Sequence, residues 1–377
     1  MEVTKLVLLA AGGTGGHLFP AEALAGALTA RGVSVDLATD ARAARYAGHF
    51  PARELHVLPA DTVRGRSPVA LARTGLALAT GLVSSLALLR RLKPAVVVGF
   101  GGYPTVPPLL AASLLGVPCL IHEANGVMGR ANRMLARRVS AIATGFPGLV
   151  KGDPALAPKA VWTGNPLRPA VIAAAAAPYD PPVPGGALHL LVFGGSQGAR
   201  VMSDVVPQAV ERLGADLRAR LVVTQQAREE DLERVTATYA RLGVQAHVAA
   251  FFDDLPARMA RAHLVIARSG AGTVAELAAM GRPSILVPLP HALDQDQAAN
   301  ARTLADVGAA LVLRQVEFDP DRLALELNTF AGEPASLTRM ADKARSQSVL
   351  DAAGRLADLV QHLSAGETVE TFRGSKA

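Results

Sequence analysis

The sequence predicts an α/β protein of two domains, each a parallel sheet flanked by helices. Its 377 residues exceed the size at which one core usually keeps growing. Half of the residues are apolar but only 4% are aromatic, and Ala, Leu and Val dominate, as suits helices packed on a buried parallel sheet. Short aliphatic runs ending in glycine turns alternate with helical stretches along the chain, which is the pattern of βαβ units.

The first strand-like run, Lys5 to Ala10, ends in Gly12-Gly13-Thr14-Gly15-Gly16-His17 and leads into an Ala- and Leu-rich helical stretch. Glycines there let backbone N–H groups approach a ligand, and a helix start adds the positive end of its dipole. The turn therefore suits an anionic or sugar-phosphate group. It is not a dinucleotide fingerprint: with G-x-G-x-x-G started at Gly13, Gly15 is in register but the third glycine falls on Leu18. No G-x-x-x-x-G-K-[ST] occurs either, so nicotinamide and P-loop functions lose their main support. His17 can bond a bound hydroxyl or take its proton, or it can simply cap its own turn. The apolar run Leu6 to Ala11 is too short for the core of a signal peptide.

Residues 67–92 form a separate apolar stretch. Leu71, Leu76, Leu78, Leu82, Val83, Leu86, Leu88 and Leu89 lie between Arg64, Arg66 and Arg73 at one end and Arg90, Arg91 and Lys93 at the other. The uncharged part, Thr74 to Leu89, is shorter than the ~20 residues of a membrane span. Two alternatives stand: a helix buried in its domain, or an apolar patch ringed by Arg that dips into an anionic membrane surface. Leu82 and Leu86 are the positions chosen to separate them.

A second strand, Ala95 to Val98, ends in Gly99-Phe-Gly-Gly-Tyr103. Proline and glycine then mark a boundary, from Gly164-Asn-Pro-Leu-Arg-Pro169 to Tyr179-Asp-Pro-Pro-Val-Pro-Gly-Gly186. The second half repeats the plan: Leu188 to Phe193 ends in Gly194-Gly-Ser196-Gln-Gly-Ala199, and Leu264 onward ends in Ser269-Gly-Ala-Gly272-Thr273. The expected domains are 1–164 and 165–344, hinged at 164–168, with a helix at about 345–366 packing back on the first domain and a frayed tail over 367–377. Ligands of such domains bind outside the carboxyl ends of the strands.

Charge is uneven. Residues 1–165 carry 17 Lys and Arg against 8 Asp and Glu, while the remainder carries 21 against 24. The basic surplus thus belongs to the first half, where it favours an anionic membrane surface. The single Cys119 excludes a disulfide framework and a Cys-based zinc site, as fits a reducing cytosol.

Six motifs in order resemble the MurG family of bacterial glycosyltransferases, over about residues 5–365: Gly12-Gly-Thr-Gly-Gly-His17, Gly101-Gly-Tyr103-Pro, His122-Glu-Ala-Asn125, Gly164-Asn-Pro-Leu-Arg168, Gly194-Gly-Ser196-Gln-Gly-Ala199 and Ser269-Gly-Ala-Gly-Thr273-Val-Ala-Glu276. The resemblance implies a GT-B fold, two Rossmann-like domains with parallel sheets facing across a cleft. It also implies an inverting transfer of N-acetylglucosamine from UDP-GlcNAc to the C4 hydroxyl of a lipid-linked muramyl-pentapeptide acceptor in peptidoglycan synthesis. No cofactor, metal ion or nucleic acid is implied; the partners are those two substrates, the cytoplasmic face of the plasma membrane, held peripherally, and other cell-wall synthesis proteins.

Residue by residue, the resemblance places Thr14, Gly15, Gly16, Asn125, Arg168, Ser196, Phe252, Gly272, Thr273, Glu276 and Gln297 at the donor. It places Gly13, His17, Gly102 and Tyr103 at the acceptor. The chemistry agrees: helix-start N–H groups and the Thr273 hydroxyl suit a diphosphate, and a carboxylate at Glu276 suits two ribose hydroxyls. His17 is the candidate base, ahead of Glu123 and His122. Asp294-Gln-Asp296 has the form of a D-x-D metal motif but lies in the family's sugar loop, with no further carboxylates nearby in sequence. The chain departs from some relatives at Gly272, where a bulky aliphatic is found, at Asp296 and at Thr105-Val106. Alternatives to the transferase are a UDP-GlcNAc epimerase of the same fold and a non-catalytic membrane scaffold.

Overall fold

The computed structural model describes residues 5–12, 15–41, 50–59, 68–195, 198–290 and 295–374. The chain divides into two units, one made of Met1–Arg168 with Val349–Ala377 and the other of Pro169–Ser348. The first division thus falls after Arg168 rather than after Gly164, and the chain returns to the first unit at Val349 rather than at residue 345.

The first unit is built on seven parallel strands, β1 (Leu6–Ala10), β2 (Ser34–Thr39), β3 (Glu54–Val57), β4 (Val96–Gly99), β5 (Cys119–Glu123), β6 (Ala141–Thr144) and β7 (Ala160–Trp162), in the order β3-β2-β1-β4-β5-β6-β7. Its first helices are α1 (Gly15–Thr29), α2 (Pro68–Leu92), α3 (Val106–Leu114) and α4 (Arg130–Leu135). Successive strand residues point to opposite faces, so Val7 and Leu9 enter one core layer and Leu8 and Ala10 the other. Covering both faces explains why the strands read as unbroken aliphatic runs.

The second unit contains α5 (Pro169–Ala175), β8 (Leu188–Phe193), α6 (Arg200–Glu211), α7 (Ala215–Ala219), β9 (Leu221–Gln226), α8 (Leu232–Arg241), β10 (Gln245–Ala249), α9 (Leu255–Arg261), β11 (Leu264–Ala267), α10 (Ala271–Met280), β12 (Ser284–Leu286), α11 (Asp296–Ala305), β13 (Ala310–Val312), α12 (Pro320–Gly332) and α13 (Pro334–Ser346). Its parallel sheet has the order β10-β9-β8-β11-β12-β13. In each unit the winding direction reverses between the first and fourth strands, which is where such sheets bind ligands.

Two helices return to the first unit, α14 (Ala352–Ser364) and α15 (Val369–Gly374). Leu356, Leu359, Val360 and Leu363 of α14 pack in the layer that holds Leu18, Leu24 and Leu28 of α1. Arg31, at the end of α1, donates to Asp358 at 2.8 Å and to the Gln361 side chain at 2.7 Å. The tail expected to fray after residue 366 is instead helical to Gly374, because Val369 and Phe372 bury in the same layer. Polar composition hid two apolar residues three apart, enough to dock one helical turn.

α2 runs along α3 with one face packed into its unit and another exposed. Ser85, Leu88 and Leu89 are buried, and Leu82 and Leu86 pack partly against the core. Leu76 and Val83 are each 67% exposed. Among the described residues Gly75–Leu92 is the one helical segment long and apolar enough to cross a membrane, yet its inner face ties it into this unit. Leu82 and Leu86 are therefore the wrong positions to test membrane contact, since they lie on the packed side.

At the sheet edge, Asp36 is wholly buried in β2. Burial would raise its pKa, but the Arg53 fork at 2.9 and 2.8 Å and His56 at 3.0 Å hold the carboxyl below its usual value. These bonds attach β3 to the sheet. Phe372→Ala removes the anchor of α15 and is expected to lower stability by about 2 to 4 kcal/mol in urea unfolding; a change of a few tenths would mean that α15 is not docked in solution.

Candidate active site

In the first unit the loops after β1, β4 and β5 converge at the point where the winding reverses. His17 is the third residue of α1. Gly101 and Gly102 follow β4 with φ of 89° and 76°. A Cβ on Gly101 would meet His17 Nε2 at 3.3 Å, and one on Gly102 would meet Nδ1 at 3.4 Å. Both positions need glycine, for the left-handed backbone and for the imidazole lying against it. Tyr103 opens a 3-10 turn just beyond, half-buried.

Glu123, at the end of β5, is 3% exposed. It accepts from Asn125 N at 3.0 Å, Asn125 Nδ2 at 3.2 Å, Gly129 N at 2.9 Å and Asn132 Nδ2 at 2.8 Å. A carboxylate so occupied holds the loop 124–129 and is poorly placed to serve as a base. Burial lowers the pKa of His17, against the opposing pull of the Glu123 charge and a bond with the Gly12 backbone. The imidazole is thus neutral at pH 7 and able to accept a proton. His122 is fully buried, bonds the Gly164 carbonyl at 3.2 Å and has its pKa lowered by burial to about 4. It braces β5 against the residues leading out of the unit and has no exposed face for a substrate.

Arg168 belongs to this unit, its guanidinium 4.2 Å from the centre of the Phe19 ring on α1. The structure thus brings Gly15, Gly16, His17, Gly102, Tyr103, Asn125 and Arg168 into one unit. Gly13 and Thr14 lie outside the described residues.

In the second unit the turns after β8 and β11 flank the corresponding reversal. A Cβ on Gly194 would meet Ala199 N at 2.2 Å, so the β8 turn closes only on glycine. Ser196 lies outside the described residues. After β11, α10 begins with Gly270 as N-cap and no side-chain cap. The first N–H groups of α10 therefore remain for a ligand. Gly272 is exposed and a Cβ there would meet nothing within 4 Å, so the departure from a bulky aliphatic leaves the helix start open. Thr273 and Glu276 are half-buried one turn apart on α10.

Ser269 Oγ donates to the Gln297 carbonyl at 2.8 Å, and Asn300 Nδ2 donates to the Ser269 carbonyl at 3.1 Å. Gln297 accepts from Leu289 N at 3.1 Å through its side chain. Gln297 is thereby fixed beside the start of α10. Asp294 lies outside the described residues, and Asp296 accepts from Gln297 N at 2.9 Å.

Phe252 requires a correction. It is 7% exposed, its ring 5.4 Å from His247 and 4.4 Å from the Arg258 guanidinium, so it is a packing residue. The neighbouring Phe251 is 62% exposed. Gln226 was missed as well: it accepts from Gly194 N at 3.0 Å and donates to Ala250 O at 3.1 Å, joining the β8 turn to the Phe251 loop.

With this geometry in place, comparison with known proteins is decisive. Residues 7–144 match the glycosyltransferase family 28 N-terminal domain and residues 189–356 the family 28 C-terminal domain. A Nitrobacter hamburgensis protein described as UDP-N-acetylglucosamine--N-acetylmuramyl-(pentapeptide) pyrophosphoryl-undecaprenol N-acetylglucosamine transferase is 60% identical over 364 residues, 97% of this chain and 98% of the relative. The chain belongs to the MurG glycosyltransferases of family 28. A Bradyrhizobium protein of the same description is 62% identical over 355 residues, 94% of this chain and 97% of its own. The MurG crystal structure from Acinetobacter baumannii matches with a TM-score of 0.77 at 31% identity, covering 95% of this chain and 99% of that one. A Neisseria meningitidis UDP-GlcNAc 2-epimerase shares the fold alone, at 13% identity and a TM-score of 0.64 over 94% of this chain and 98% of that one.

His122 makes stability depend on pH. The unfolded imidazole titrates near 6.5 and the folded one near 4, so between these values the unfolded chain binds more protons and stability rises with pH. His122→Gln should remove up to ~1.4 kcal/mol per pH unit from that slope, measured by urea unfolding across the acid range; an unaltered slope would show that His122 is not buried neutral.

Proposed function

We propose that this chain transfers N-acetylglucosamine from UDP-GlcNAc to the lipid-linked muramyl-pentapeptide acceptor, by a single inverting displacement. The observation that carries the proposal is the placement of both sets of glycine turns at the winding reversals: a neutral imidazole stands in one unit, and an uncapped helix start with a carboxylate one turn on stands in the other. The second unit takes the donor. The N–H groups opening α10 and the Thr273 hydroxyl receive the diphosphate, Glu276 the ribose, Phe251 the uracil and Gln297 the sugar. The first unit takes the acceptor, with His17 receiving the proton of the C4 hydroxyl as it attacks the anomeric carbon and UDP departs. Charge growing on the leaving diphosphate is met by oriented N–H dipoles, which need no reorganisation.

Transfer of labelled GlcNAc to a purified lipid-linked muramyl acceptor tests the assignment directly. His17→Ala should lower kcat by about 10² to 10⁴, the usual contribution of a positioned base, with little change in donor affinity. Glu276→Ala should instead raise the KM for UDP-GlcNAc by about tenfold, equal to ~1.4 kcal/mol. Equal effects of both variants on both constants would remove this division of roles.

We also propose a peripheral membrane contact through the outer face of α2. Leu76, Ala79, Val83 and Ala87 are exposed at spacings of three and four, hence one stripe, and Arg90 and Arg91 are exposed at its end. Apolar insertion and attraction to anionic headgroups then act together. Leu76→Glu with Val83→Glu should abolish sedimentation with anionic vesicles and leave the melting temperature unchanged. Undiminished sedimentation would exclude this face.

A further inference from the structure

A cavity of about 640 Å³ opens in the first unit away from the His17 loops, between β7, the end of α1, and helices α14 and α15. That volume falls within the range of small-molecule sites. Its walls carry three guanidiniums, Arg31, Arg355 and Arg373, against two carboxylates. Each carboxylate already has a partner: Asp358 accepts from Arg31 at 2.8 Å, and Asp351 from Arg355 at 2.8 Å. The hydrogen bonds that Arg373 makes among the described residues go to main-chain carbonyls, of Ala157 at 3.0 Å and of Ala160. The cavity is therefore cationic by one charge. The start of α14, which has no side-chain cap, adds the positive end of a 13-residue helix.

One wall is the indole of Trp162, 48% exposed on the edge strand β7. The Arg355 guanidinium stands 5.9 Å from its ring centre. That is too far for contact stacking and about 1 Å short of the ~7 Å that two van der Waals contacts would need to admit a planar group between them. The Arg355 side chain is 39% exposed and bonded to an Asp351 that is 64% exposed, so admitting a ring requires this surface pair to shift by about 1 Å.

We propose that this cavity binds an organic anion that carries a planar ring, of the nucleotide or aromatic-carboxylate type. The ring lies between Trp162 and Arg355, and the acid group meets Arg31 and Arg373. An inorganic ion would leave most of the volume unfilled. An apolar ligand would strip water from guanidiniums without pairing them. A planar ring with an acid group meets both requirements, through stacking and a charge-assisted fork.

Trp162 is the single tryptophan of the chain, so intrinsic fluorescence reports on this cavity directly. The full-length protein is titrated with AMP, 4-hydroxybenzoate, adenosine and inorganic phosphate. A saturable change is expected with AMP, with 4-hydroxybenzoate or with both, which also separates the nucleotide from the carboxylate source. Adenosine and phosphate alone should give none. Arg355→Glu should weaken the response by at least about tenfold at an unchanged melting temperature, and Arg355→Gln, which removes the charge without reversing it, should weaken it less. No saturable change with either ring-bearing anion, an equal response to adenosine or phosphate, or wild-type affinity in Arg355→Glu would overturn the proposal.

Discussion

A buried carboxylate surrounded by four N–H donors holds the first site together. Glu123 closes the end of β5, and its two oxygens collect the backbone of Asn125 and Gly129 and the amides of Asn125 and Asn132. An unpaired carboxylate at that depth would cost several kcal/mol, so the loop has one arrangement that satisfies it. That arrangement puts Asn125 at the carboxyl edge of the sheet and sets a negative charge near His17. Glu123 thus fixes the loop and acts on His17 through its charge.

The second unit reaches the same rigidity with neutral groups. Gln226 joins the β8 turn to the loop after β10, and Ser269 with Asn300 joins the β11 turn to α11. Arg268, buried at the end of β11, donates to the carbonyls of Val287 and Pro288 and to Gln315, and so fixes the chain leaving β12. Among the described residues these bonds hold the turns in place before any ligand binds, which lowers the ordering cost of binding.

Much of this was legible in the sequence, and the limits have physical causes. The glycine turns announced themselves because a backbone that closely approaches a ring, as at Gly101 and Gly102, or its own turn, as at Gly194, admits no side chain. The strands followed from aliphatic runs that a two-sided sheet requires. The orientation of a side chain was not legible: Phe251 and Phe252 are identical in composition and opposite in exposure. Nor was the partner of a polar residue, since Glu123 reads equally as base or brace until its four donors are seen. The docking of α15 depended on Val369 and Phe372 finding a core layer built from α14 and from strands and helices of the first half of the chain, which local pattern cannot reveal.

The charge state of His17 is the point on which these constraints meet. A protonated imidazole has no lone pair left with which to accept a proton. Glu123 and the Gly12 backbone favour that protonated form, whereas burial against Gly101 and Gly102 disfavours it, and burial prevails. A Cβ at Gly101 would stand 3.3 Å from the ring and one at Gly102 3.4 Å, so the imidazole keeps this place most easily beside glycine. The two glycines therefore help to set the place of a ring whose burial lowers its pKa, so the motif joins two loops in one arrangement.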